Sequence, residues 1–135
     1  MPKGPLPPDV REFLNAPNLA TVATLGHAGA PQATVVWFLL EGDQVLINTK
    51  SGRAKVRNLA HDPRVALAVF DQQDPYRSVQ VRGVAEGRRE GAASAADIHR
   101  LSRHYTGHDY RDPEGRISYL ITVESWSSYG LSEVG

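Results

Sequence analysis

Apolar and polar positions along this chain fall into blocks of two periods, one helical and one alternating. Residues 9–16 carry Val10, Phe13 and Leu14 at helical spacing, with Asp9 placed to cap them and Pro17 to stop them, which predicts a short helix. Residues 19–25 predict a strand, with 26–30 as its turn. Val22 and Leu25 do not alternate cleanly, so this strand is expected to be covered on both faces. Residues 32–40, rich in β-branched and aromatic side chains, predict a second strand. Glu41, Gly42 and Asp43 form a tight turn into a third strand over 44–49, and the three strands are expected to form an antiparallel meander. A helix over 53–61 ends at Asp62-Pro63.

A fourth strand is predicted over 65–71 and a fifth over 78–88, where Val79, Val81, Gly83 and Ala85 share a face. A glycine inside a strand marks a bulge or a close approach by backbone or ligand, so Gly83 is expected to be one or the other. Residues 94–105 predict a helix with Ile98, Leu101 and Tyr105 on one stripe. After a polar loop over 106–114, Ile117, Tyr119, Ile121 and Val123 alternate in a last strand over 116–123.

Six strands with short helices in the gaps predict a mainly β fold, a small antiparallel barrel whose closure removes the sheet edges. Residues 1–8, rich in Pro and Gly, are expected to form a flexible leader, and 9–135 a single domain. A core of this size leaves apolar surface for a second copy to cover. Trp37, Phe38, Tyr76 and Trp126 are candidates for that surface, and a place in the chain's own core is the equal alternative for each.

Composition removes several functions. The chain has no cysteine, which excludes disulfides, thiolate catalysis and cysteine-type zinc sites and fits a reducing cytoplasm. The opening MPKGPLPP lacks the apolar core of a secretory signal, and the longest unbroken apolar run, 35–40, is too short to cross a bilayer. Formal net charge is zero, whereas nucleic-acid binding usually needs a basic face.

Against that neutral background, residues 48–64 gather Lys50, Arg53, Lys55, Arg57 and Arg64, with no acidic residue between Asp43 and Asp62. Ser51 is placed to cap the helix that follows. Cations at a helix start oppose the helix dipole, and an anion docked there reverses the sign. The stretch therefore reads as a phosphate site, against the plainer alternative of a solvated basic helix with Val56 and Leu59 facing the core.

Other chemistry finds no support. There is no P-loop, no GxGxxG opening a helix and no HExxH. His99, His104 and His108 lie near Asp109 and Asp112, but Thr106-Gly107 should break the helix before His104 and His108 share a face, so no metal is expected. Thr49 and Ser51 have no adjacent histidine base, and no carboxylate pair sits in an apolar setting. An anion site without an evident acid, base or nucleophile fits a protein whose cofactor carries the chemistry.

The segments LATVATLGHAGAPQATVVWFLLEGDQVLINT, SGRAKVRNLAHDPRVAL, VQVRGVAE and SSYGL together resemble the split-barrel superfamily of pyridoxamine 5′-phosphate oxidases and their deazaflavin (F420)-dependent relatives. The resemblance runs from about residue 13 to 131. It implies an FMN-type split barrel that works as a homodimer with two cofactor sites at the interface and a small-molecule substrate. By that resemblance Thr49, Ser51, Arg53 and Lys55 would hold the cofactor phosphate, and Lys50 is counted with them as a further cation of the cofactor site. The segment Thr34, Val35, Val36, Trp37 lines the ring system, with Arg57 and Asn58 close by. Ser78 and Gln80, with Trp126 or Tyr129, reach in near the ring.

The chain also departs from the oxidases. Its second strand, VVWFLL, lacks their bracketing Arg and Lys. Arg53-Ala54-Lys55 replaces their adjacent Arg-Lys, and ISYLITVESWSSYGL has no Arg/His substrate pair. The spacing looks more like the F420-dependent branch, with FMN as the alternative cofactor. A non-catalytic flavin or tetrapyrrole binder, for which His27 is a candidate, is the reading from another class. No catalytic side chain is singled out.

Overall fold

The chain departs from its expected strand pattern at one place, and that place closes the sheet. A computed structural model describes residues 3–131. Met1 and Pro2 of the expected leader, and 132–135 of the expected domain, lie outside the described residues. The elements are α1 (Pro8–Asn15), β1 (Ala20–Leu25), β2 (Pro31–Val36), β3 (Leu39–Glu41), β4 (Gln44–Lys50), α2 (Ala54–His61), β5 (Arg64–Phe70), β6 (Ser78–Glu90), α3 (Ala92–Thr106) and β7 (Arg116–Tyr129).

They build one seven-stranded sheet in the order β2-β1-β5-β6-β7-β4-β3. The expected meander and the expected count of six are thus corrected. The second strand is broken at Trp37 and Phe38; its first half pairs with β1 and its second with β4. The two halves stand at opposite edges of the sheet yet are consecutive in the chain, so the sheet curls back on itself into a barrel split at the break. The cause is Tyr105 on α3. Its hydroxyl accepts the Phe38 N–H at 3.2 Å and donates to the Asn18 carbonyl at 2.7 Å, with the Phe38 carbonyl at 3.2 Å. Backbone groups that would otherwise extend a ladder are satisfied by this one side chain. Burial pushes the Tyr105 hydroxyl up to about 12, so it keeps its proton.

Two helix starts also differ from expectation. Pro7, not Asp9, caps α1, and Pro8 takes the first helical position, where a missing N–H costs nothing. Arg53, not Ser51, occupies the N-cap of α2, with no side-chain cap bond. Strand β1 alternates buried and exposed positions, so it is covered on one face only.

The core fills the barrel with Val22, Val45, Ile47, Leu67, Val69, Val79, Val81 and Ile121, closed at one end by Val10, Phe13 and Leu14 of α1. Leu6 joins it, so the leader is anchored there. Phe38 is 1% exposed, which places it in the chain's own core and corrects its candidacy for an outer surface. Trp126 also packs against the core, whereas Tyr76 is 77% exposed. Gly83 sits at a register shift between β6 and β7, where an added Cβ would meet the Thr122 carbonyl at 2.1 Å. The close approach is made by backbone.

Strand β4 is buried along most of its length on both faces. Val45 and Ile47 point into the barrel, while Leu46 and Asn48 lie under α3 on the outside, with Ile98 and Leu101. Among the described residues, no helix gives the opposite wall, β2-β1-β5-β6, such cover on its outer face. Its outward positions run in rows, Val35–Thr21–Ala68–Gln80 and Ala33–Ala23–Ala66–Arg82, and include Val35 at 63% and Phe70 at 51% exposed. No helix among the described residues is long and apolar enough to cross a membrane.

Candidate cofactor site

A cleft of about 310 Å³ opens where the end of β4, the start of α2 and the strand break meet α3. One wall is apolar: Val35, Val36, Trp37, Ile98 and Leu101. Trp37 stacks on Tyr105 with centroids 5.3 Å apart, and Tyr110 stands edge-on to Trp37 at 6.2 Å. The Tyr110 N–H donates to His99 Nδ1 at 3.1 Å, which holds that loop against the cleft. The other wall is cationic and polar: Asn48, Thr49, Lys50, Arg53, Lys55 and Arg116.

The five cations of 48–64 are not equivalent once folded. Lys50 pairs with Asp112 at 3.2 Å. Arg57 donates to the Gly52 carbonyl at 2.9 Å, and Arg64 pairs with Asp62 at 2.7 Å. Arg53 and Lys55 remain without a carboxylate partner among the described residues. Lys55 is nevertheless only 8% exposed. Its ammonium is held below the usual lysine value by burial first, then by the neighbouring charges of Arg53 and Arg116. A buried charge ordinarily has a counter-charge, and lacking one costs several kcal/mol. An anion docked there would supply the missing counter-charge.

Of the positions expected to hold a cofactor, Val35, Val36, Trp37, Thr49, Lys50, Arg53 and Lys55 line the cleft. The others do not. Thr34 keeps a buried hydroxyl without a hydrogen-bond partner among the described residues. Ser51 borders a neighbouring hollow beside Gly91 and Gly115. Asn58 turns to Thr24 at 3.0 Å and Gln32 at 3.3 Å. Ser78 and Gln80 lie at the end of β6 that pairs with Tyr129 and Ser127, beyond the part of β7 that pairs with β4, and Gln80 points out from the uncovered wall. Sequence reasoning missed Asn48, Tyr110 and Arg116. Pairing the third predicted strand with the last would have found Arg116, which sits opposite Lys50 in the β4–β7 register. Among the described residues no group of His, Asp and Glu is placed to hold a metal.

The split barrel, with an aromatic wall facing cations that have no carboxylate partner among the described residues, defines the class of fold. The model of the pyridoxamine 5′-phosphate oxidase family matches residues 6–130, and the chain belongs to that family. A pyridoxine/pyridoxamine 5′-phosphate oxidase of Kineococcus radiotolerans is 41% identical over 70 residues, which is 52% of this chain and 31% of that protein. The chain therefore matches about a third of that relative's length. A solved F420 reductase superposes with a TM-score of 0.78 at 27% identity, covering 94% of this chain and 98% of its own. A conserved hypothetical protein of Mycobacterium tuberculosis gives 0.77 at 25% identity, covering 98% and 92%.

Proposed function

We propose that the protein is an F420-dependent oxidoreductase, acting as a homodimer, that moves hydride between the deazaflavin and an unsaturated small molecule. The observation that carries this is Lys55, buried beside Arg53 with no carboxylate, across from an aromatic wall. The residues fit such a group: Arg53 and Lys55 would hold its phosphate, and Val35, Val36 and Trp37 would flank its ring. Bound there, the deazaflavin supplies the hydride chemistry, so the chain needs to bind, orient and exclude water. The cleft has the volume of a small ligand site and stays open beside Leu19 and Val35, which also border the uncovered apolar wall. A second copy seated on that wall would complete the enclosure and bring its Ser78 and Gln80 towards this site.

Resemblance to the Arg-x-Lys branch and the likeness to an F420 reductase favour F420. FMN on the same residues is the second reading, favoured by the 41% identical stretch shared with an oxidase of the pyridoxamine phosphate type. Fluorescence titration with each cofactor decides. F420 is expected to bind more tightly than FMN; the reverse order installs FMN, and binding of neither removes the oxidoreductase reading.

A further inference from the structure

The cation that completes the cleft comes from a distant part of the chain. Arg116 opens β7, and its Nε donates to Asn48 Oδ1 at 2.8 Å. Its guanidinium lies 5.1 Å from the centre of the Tyr110 ring. The two terminal nitrogens have no hydrogen-bond partner among the described residues. Charge in this position opposes protonation of Lys55, after burial and the charge of Arg53, so like charges meet where a shared anion would relieve them.

The arrangement is fixed from behind. Ser118 Oγ donates to Asp97 Oδ2 at 2.7 Å, so it is left to accept from Asn48 Nδ2 at 2.9 Å. The same Nδ2 donates to the Ser94 carbonyl at 3.1 Å. Both neighbours require the amide nitrogen, so the amide oxygen must face Arg116. Turning it over would set donor against donor at Arg116 and acceptor against acceptor at Ser94.

We infer that Arg116 is a cofactor-binding residue, the second jaw of an anion clamp whose first jaw is Arg53 and Lys55, and that Asn48 is the positioning residue that aims it. The inference rests on reading the cleft as a cofactor site, and it assigns the anionic end of that cofactor to oxyanions presented on two sides. A guanidinium fixed through Nε keeps its two terminal nitrogens free for parallel bonds to two oxygens, which a lysine cannot match.

The test is titration of F420 and of FMN into the full chain and the variants Arg116→Gln, Arg116→Lys and Lys55→Ala, at low and high salt, with melting curves for each. Arg116→Gln should weaken the tighter-bound cofactor by about tenfold or more, with Arg116→Lys intermediate. The residual binding of Arg116→Gln should depend less on ionic strength than that of the unsubstituted chain. A residue serving only the fold would lower the melting temperature and leave that salt dependence unchanged, which would overturn the inference. If Lys55→Ala loses affinity and both Arg116 variants keep it, the second jaw is wrong and the cofactor reading stands. If none of the variants loses affinity, both fall together.

Discussion

Two clusters of charge flank α3, and they are built on opposite terms. At one, Asp97 is 3% exposed and accepts from Arg89 at 3.1 and 3.2 Å, from Arg100 at 3.2 Å and from Ser118 at 2.7 Å. Glu41 adds a bond from Arg89 at 2.6 Å. Every cation there meets a carboxylate, and the cluster ties β3, β6 and α3 together. At the other, Arg53, Lys55 and Arg116 meet in the cleft with no carboxylate among them. The first cluster is satisfied within the chain and serves the fold. In the proposed reading the second is completed by an anion from outside, and serves binding. The two are joined through Ser118 and Asn48, so the satisfied cluster supplies the rigidity that keeps the unsatisfied one from collapsing.

Substitutions should therefore act in opposite senses at the two places. The largest effect is expected at Asp97. Asp97→Ala strands Ser118 and parts of two guanidiniums and should cost roughly 2–4 kcal/mol of stability, read by urea denaturation. Cofactor affinity of the molecules that remain folded should change much less. Lys55→Met should do the reverse. It removes a buried charge without a partner, so the melting temperature should hold or rise, while cofactor binding weakens by about 1–3 kcal/mol in a calorimetric titration. A fall in both at Lys55, or in affinity alone at Asp97, breaks the comparison.

The pH dependence sharpens it. Lys55 is depressed below its usual value in the folded chain, so its proton opposes folding, fully below the folded value and less as pH approaches the unfolded value. Its contribution to stability thus improves on going alkaline. Tyr105, raised to about 12, acts oppositely above its usual value, because the unfolded chain ionises first. The difference between the protein and Lys55→Met isolates the lysine. Anion binding favours the protonated ammonium, so affinity should fall as pH rises through the depressed lysine value, by at most about tenfold per unit. Lys55→Met should lose that alkaline decline. The smallest effects belong to cations already occupied. Lys50→Ala, which breaks an exposed pair with Asp112, should shift stability by no more than about 0.5 kcal/mol and affinity only slightly.

What was legible in the residues follows the range of the forces. Strands and helices set by local period emerge within a few positions, as does the close approach at Gly83. The break at Trp37 and Phe38 was hidden, because it is imposed by a hydroxyl 67 residues later in an otherwise good strand pattern. Strand β7 runs on to Tyr129, past the clean alternation that ended the predicted strand at Val123, because β6 pairs with it along the extension. In the cleft, the concentration of cations was plain, but not which of them were spent. Lys50 is neutralised from 62 residues away. Arg116, which replaces it as a free charge, is brought opposite by sheet register. Local composition can announce an anion site; only the fold decides its members.

In the proposed function, Lys55, which has no carboxylate partner among the described residues, grips the phosphorylated end of a redox cofactor. The direct measurement is calorimetric titration of F420 and FMN, in parallel, into the unsubstituted protein and Lys55→Met. Saturable binding of one of them by the protein is expected, with at least about tenfold weaker binding by a variant that melts no lower. Equal affinity in the two proteins, or no binding of either cofactor by the unsubstituted chain, would contradict it.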